Sequence, residues 1–181
     1  MKKFLLFITV FIFSFSAVQA QDEESYGFSE GDLVLGGGIS FSSSDDDLGE
    51  MSIFNFAPQV HYFISDSWSI GASIGLGYVD YEGDKTSNTT IGIGARNYFL
   101  NIGERLMWYV GMGYANISGY DYEDSVSVLG AGLGINYFMN ENIIIDLELA
   151  DIFSYVQDED AAYMNIGLSG AITSLSIIFK L

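Results

Sequence analysis

The chain has 181 residues, no cysteine, and six basic side chains against 24 acidic ones, for a formal net charge of −18. That length sets a single domain. The lack of thiols excludes a disulfide framework and acylation of a first mature cysteine, and the negative charge excludes nucleic-acid binding, which needs clustered Lys and Arg.

Met1-Lys2-Lys3, an apolar run from Phe4 to Phe15, and the small-residue ending Ser16 to Ala20 read as a secretory signal peptide cut after Ala20. Losing Lys2 and Lys3 with it leaves four basic residues against 24 acidic ones, a charge of −20. Beyond Ala20 no window approaches 18 consecutive apolar residues, so no spanning helix is expected. Yet 49% of the chain is hydrophobic, with 21 Gly and one Pro, a composition that suits strands with two unlike faces. The expected division is signal peptide 1–20, a periplasmic N-terminal segment 21–31, and a barrel over 32–181.

Eight segments alternate apolar and small residues with the period-two pattern of a strand. The first, Asp32 to Ser42, sets Leu33, Leu35, Ile39 and Phe41 against Val34, Gly36, Gly38 and Ser40. The second, Ser52 to Tyr62, sets Phe54, Phe56, Pro58, Val60 and Tyr62 against Asn55, Ala57, Gln59 and His61. The clearest is the third, Trp68 to Val79, whose apolar face begins and ends on the rings of Trp68 and Tyr78 and whose other face is Ser and Gly until Val79. The fourth, Thr89 to Phe99, carries Arg96 and Tyr98 on its small face, and the fifth, Leu106 to Ala115, carries Tyr109 there. The sixth, from about Ser127 to Phe138, has Gly130, Gly132, Gly134 and Asn136 on that face. The seventh, from Ile143, places Asp146 and Glu148 there, and the eighth ends the chain with Leu175, Ile177, Phe179 and Leu181 opposite Ser174, Ser176, Ile178 and Lys180. Val126 and Val128 are out of phase with Leu129, and Ile166, Leu168 and Ile172 with Leu175. A bulge explains either shift, as does an external loop with its own hairpin over Ile152 to Ala171.

The connections alternate in character. Short links, Ile64 to Ser67, Leu100 to Arg105 and Met139 to Asn142, separate acidic ones. The acidic links hold Asp45, Asp46, Asp47 and Glu50; Glu82 and Asp84; Asp121, Glu123 and Asp124; and Asp158, Glu159 and Asp160. In an up-and-down barrel of even strand number alternate links share an end, so the acidic loops are expected outside and both termini in the periplasm. A soluble barrel of the lipocalin type would show its small face to water. That face is Gly, Ser, Ala and Asn with few charges, whereas soluble surfaces are rich in Lys and Glu. The fold expected is therefore all-β, an eight-stranded antiparallel up-and-down transmembrane β-barrel.

With its signal peptide, eight amphipathic strands, short turns at one end and apolar last strand bearing Phe179, the chain resembles the small outer-membrane β-barrels of Gram-negative bacteria, the OmpA/OmpX type. The resemblance implies membrane integrity, adhesion or surface binding, assembly by the outer-membrane machinery, and a barrel without OmpA's peptidoglycan-binding domain. Family members often end in Phe, where this chain ends in Leu181.

The small face then lines a lumen about wide enough for side chains to fill. His61, Arg96, Asp146, Glu148 and Lys180 are expected there as a polar network, Asp146 pairing with Lys180 and Arg96 with Glu148 or Asp146, because an unpaired buried charge is expensive. A narrow conduction path through that network is the second reading. A hydrolase built on His61 is the third; no G-x-S-x-G stands near that histidine. No acidic loop matches the Ca²⁺-loop pattern D-x-[DN]-x-[DN]-G, so neither metal nor cofactor is expected. The expected partners are outer-membrane lipid, lipopolysaccharide bridged to the acidic loops by divalent cations, and the assembly machinery, with the protein a monomer.

Overall fold

The computed structural model describes residues 26–46, 49–81, 83–119, 125–157 and 162–181. Eight strands follow in chain order: β1 (Leu33–Asp46), β2 (Gly49–Ser65), β3 (Trp68–Tyr81), β4 (Asp84–Ile102), β5 (Leu106–Gly119), β6 (Val126–Phe138), β7 (Ile143–Gln157) and β8 (Ala162–Lys180). Each pairs antiparallel with the next, and β8 returns to β1, closing an up-and-down barrel. Closure gives every strand two hydrogen-bonded neighbours, the one way a sheet can sit in hydrocarbon. No helix among the described residues is long and apolar enough to cross a membrane.

The alternation places apolar side chains outside. Ile39, Phe41 and Ile93 are 65–72% exposed, whereas Val34, Tyr109 and Ile178 keep 2% or less of their surface. The exposed apolar belt also includes Trp68, Tyr62 and Tyr114. An outer surface this greasy suits a bilayer. The core sits inside the barrel at one end, beside the short turns and the C-terminus: Phe63, Tyr98, Met107, Phe138, Ile144 and Ile178 are all buried there.

The strands have 13 to 19 residues, more than the roughly 9–11 that cross a bilayer. The surplus extends the hairpins at the end opposite the core. Asp45 and Asp46, expected in a loop, instead end β1, in register with Glu50 and Gly49. Asp84 likewise begins β4, exposed and paired with Tyr81. Ladder bonds satisfy the backbone nearly to the hairpin tip, which is why strand replaces loop at these positions. Asp47, Asp121, Glu123, Asp124, Asp158, Glu159 and Asp160 lie outside the described residues, as do residues 1–20, where a signal peptide is expected.

Both phase shifts now have an origin. The β5–β6 ladder runs unbroken from Leu106↔Tyr137 to Ile117↔Val126, so Val126 and Val128 share the inner face of Gly130 without a bulge. Ile152 to Ala171 is no separate hairpin loop: β7 continues to Gln157 and β8 starts at Ala162. The β7–β8 register breaks between Glu148 and Ala150 and again between Asp151 and Phe153, and these bulges shift the phase. Closure rests on a short seam. β1 and β8 share four residue pairs, Val34↔Lys180 to Gly37↔Ile177, where the β1–β2 ladder runs from Leu33↔Tyr62 to Asp46↔Gly49.

Candidate functional site: the barrel lumen

Five strands deliver one polar hub. Asp146 of β7 accepts hydrogen bonds from Arg96 Nη1 of β4 at 2.9 Å, the Tyr109 hydroxyl of β5 at 2.9 Å and Asn136 Nδ2 of β6 at 2.8 Å. Gln59 Nε2 of β2 lies 3.5 Å from the same carboxylate. The Arg96–Asp146 pair is shielded from water, with side-chain exposures of 13% and 4%. The Arg96 guanidinium also lies over the Tyr109 ring, 4.4 Å from its centroid. A charge-assisted pair with its remaining valences taken up by neutral donors is the arrangement that tolerates low dielectric.

Glycines make room for it. Tyr109 is in register with Gly134, and a Cβ there would overlap the phenol ring. His61 is in register with Gly71, where a Cβ would stand 2.5 Å from Nδ1. The large inward groups thus lie flat over glycines of the adjoining strand.

An aromatic layer lies beneath the hub. Phe28 stacks on Phe63 at 4.1 Å between ring centroids and packs on Tyr98 and Phe138 at 5.0 and 5.1 Å; Tyr98 in turn meets Tyr109 at 5.5 Å. Phe28 belongs to the segment before β1, so the N-terminal stretch is a stopper set into this mouth of the barrel. Backbone bonds hold it, Gly31 N to Phe63 O and Phe63 N to Asp32 O, each 2.9 Å. So do side chains: Arg105 Nη2 donates to the Tyr26 hydroxyl at 2.6 Å, and Lys180 Nζ donates to Gly27 O at 2.9 Å and lies 3.1 Å from Asp32 Oδ2. The sequence offered a weak signal for this, an aromatic pair at Tyr26 and Phe28 in a segment too short to be a strand.

Of the expected network, Arg96 meets Asp146. Lys180 does not: the residue of β8 opposite Asp146 is Ser176, and Lys180 lies four positions further on, opposite Val34. At about 3.3 Å per residue that is roughly 13 Å along the strand, so Lys180 serves the stopper instead. Glu148 lies one inward position above the hub, 3.5 Å from the Ser174 hydroxyl. His61 is buried, and its Nδ1 has no hydrogen-bond partner among the described residues. Among those residues no three His, Asp or Glu side chains are grouped as metal ligands.

Above the hub the lumen widens into a cavity of about 300 Å³, bordered by Gln59, His61, Arg96 and Tyr109 below and by Glu148 and Asp151 on the β7 wall.

The sequence profile of the outer membrane protein beta-barrel domain matches residues 7–170. No curated protein matches the chain. Among solved structures it is similar to the outer membrane protein OprG of Pseudomonas aeruginosa, with TM-score 0.52 and 16% identity over 87% of this chain and 92% of that one. It is similar also to Outer Membrane Protein W of E. coli, with TM-score 0.50 and 14% identity over 84% and 99% of the two chains. Ail of Yersinia pestis gives TM-score 0.47 and 16% identity over 84% of this chain and 100% of that one. At such identities the likeness concerns the fold alone.

Proposed function

This chain belongs to the outer membrane protein beta-barrel domain family, a family of the bacterial outer membrane, and from that premise we propose that it is a non-catalytic barrel with a closed lumen. Its working surface is the acidic hairpin end. Both termini and the stopper then face the periplasm and the hairpins face outward, the arrangement in which short turns lie inside and long connections outside. The role is structural or adhesive, with lipopolysaccharide phosphates approached through bridging divalent cations and the barrel acting as a monomer.

The observation that carries this reading is the double closure of the lumen, the Arg96–Asp146 hub over the Phe28, Phe63, Tyr98 and Phe138 layer. A hydrolytic role is disfavoured because Nδ1 of His61 has no hydrogen-bond partner among the described residues, whereas nucleophile-activating histidines are oriented by a carboxylate. The test is planar-bilayer conductance of the folded protein, its fold checked by a heat-dependent mobility shift in SDS gels. A closed barrel gives no unitary steps. Regular steps from the unaltered protein would refute closure and favour the narrow channel, in which case Arg96→Ala should enlarge them.

A further inference from the structure

The stopper is built differently from the wall it closes. β1 and its ladder with β2 begin at Leu33, so the stretch from Tyr26 to Asp32 lies outside the sheet. Between Tyr26 and Glu30 one side chain is buried, that of Phe28. Polar ties of the same stretch run to the rim of the barrel. Glu30 N donates to Asp66 Oδ1 in the β2–β3 turn, Tyr26 accepts from Arg105 in the β4–β5 turn, and Gly27 O accepts from Lys180 at the end of β8. Asp66 and Arg105 are exposed and Lys180 is partly so. Charged partners in such positions contribute little to stability. The seat is firmer: Phe63, Tyr98 and Phe138, on which the Phe28 ring rests, all stand in ladders of β2, β4 and β6. A segment with one buried ring and no ladder opens at a far lower free energy than the strands around it.

Two glycines bracket that ring. Gly27 has φ 135° and Gly31 φ 94°, a region that glycine enters about as readily as its mirror image. A Cβ at either position would meet nothing within 4 Å. Packing therefore does not call for glycine at these two places; backbone rotation does, on both sides of Phe28. The bond from Gly31 N to Phe63 O breaks in such a rotation, while Asp32 O keeps its bond from Phe63 N as the pivot.

We infer that the stopper is a strap. Phe28, Ser29 and Glu30 swing out about Gly27 and Gly31 on the intact barrel and return, opening an apolar vestibule at the short-turn end while the Arg96–Asp146 hub keeps the lumen shut. The last clause rests on the closed-lumen reading, and the swing does not. The chain has no cysteine, so a single introduced thiol reports alone. Val34→Cys sets a near-isosteric thiol in the buried cluster that Phe28 completes, and Val126→Cys sets one, equally buried, at the start of β6. Each is alkylated with iodoacetamide in the full mature protein folded in detergent micelles and followed by intact mass, the fold being checked by the heat-dependent gel shift. The Val34→Cys thiol should react at least a hundredfold faster than the barrel unfolds. Gly31→Ala adds its methyl in open space yet strains the docked backbone, and Phe28→Ala removes the ring. Each should speed the Val34→Cys thiol at least tenfold and leave the Val126→Cys thiol unchanged. Reaction at the rate of unfolding, no response to Gly31→Ala, or equal acceleration of both thiols would each overturn the strap. In planar bilayers Gly31→Ala and Phe28→Ala should stay silent; unitary steps from them would refute the seal at the hub, and with it the closed lumen, while bearing out the swing.

Discussion

Asp146→Ala is the sharpest perturbation the lumen offers. The carboxylate is 3% exposed and holds the Arg96 guanidinium, the Tyr109 hydroxyl and the Asn136 amide, all at 2.8–2.9 Å. Its removal leaves a buried cation without its counter-ion, which costs about 3–5 kcal/mol. Each orphaned neutral donor costs about 1–3 kcal/mol more. These terms overlap, since Tyr109 and Asn136 can turn toward the space left behind, and a total near 4 kcal/mol is expected. With a urea slope of about 2 kcal/mol/M, the unfolding midpoint of the lipid-folded protein should fall by roughly 2 M, as read from tryptophan fluorescence. Arg96→Met should cost a similar amount, but Arg96→Met combined with Asp146→Leu should cost far less than the two together, because replacing a whole buried pair by apolar groups is often near neutral. A midpoint shift below about 0.5 M for Asp146→Ala, or single effects that simply add in the double variant, would refute the hub as a coupled unit.

Three further outcomes follow from the same geometry. Gly134→Ala should destabilise by about 1–3 kcal/mol in the same urea assay, because the new methyl overlaps the Tyr109 ring. Phe28→Ala should release the stopper while the strands stay paired: exchange of the Gly31 amide, bonded to Phe63 O, should accelerate far more than exchange of strand amides such as Gly111. Lys180→Met should cost no more than about 1 kcal/mol, and high salt should shrink that difference, since the Lys180–Asp32 pair is partly exposed at 18% and 17%.

How much of this the sequence disclosed depends on the range of the interaction. Strand number, face assignment and the inward setting of His61, Arg96, Asp146 and Glu148 all follow from period-two alternation, which is local. The Lys180 partner was missed because register across β7, β8 and β1 fixes it, and one strand's pattern carries no information about its stagger against the next. The break of the β6–β7 register between Leu133 and Gly134 was missed because a bulge leaves no proline or other breaker in the sequence. Phe28 was missed for another reason: its segment has no period to read, and its burial is decided by Phe63, Tyr98 and Phe138, which lie 35, 70 and 110 positions further along the chain.

The four-pair seam between β1 and β8 bears on the order of assembly. At its foot Asp32 meets Lys180, Leu181 N donates to Leu33 O at 2.9 Å, and Lys180 also holds the stopper through Gly27 O. The residues that join the first strand to the last thus also tether the stopper, through Lys180 to Gly27 O and Asp32, whereas Phe28 itself rests on Phe63, Tyr98 and Phe138 of β2, β4 and β6. The arrival of β8 therefore adds the last ties to a stopper whose seat the earlier strands already provide, and a sheet still open at this edge holds that segment by fewer bonds.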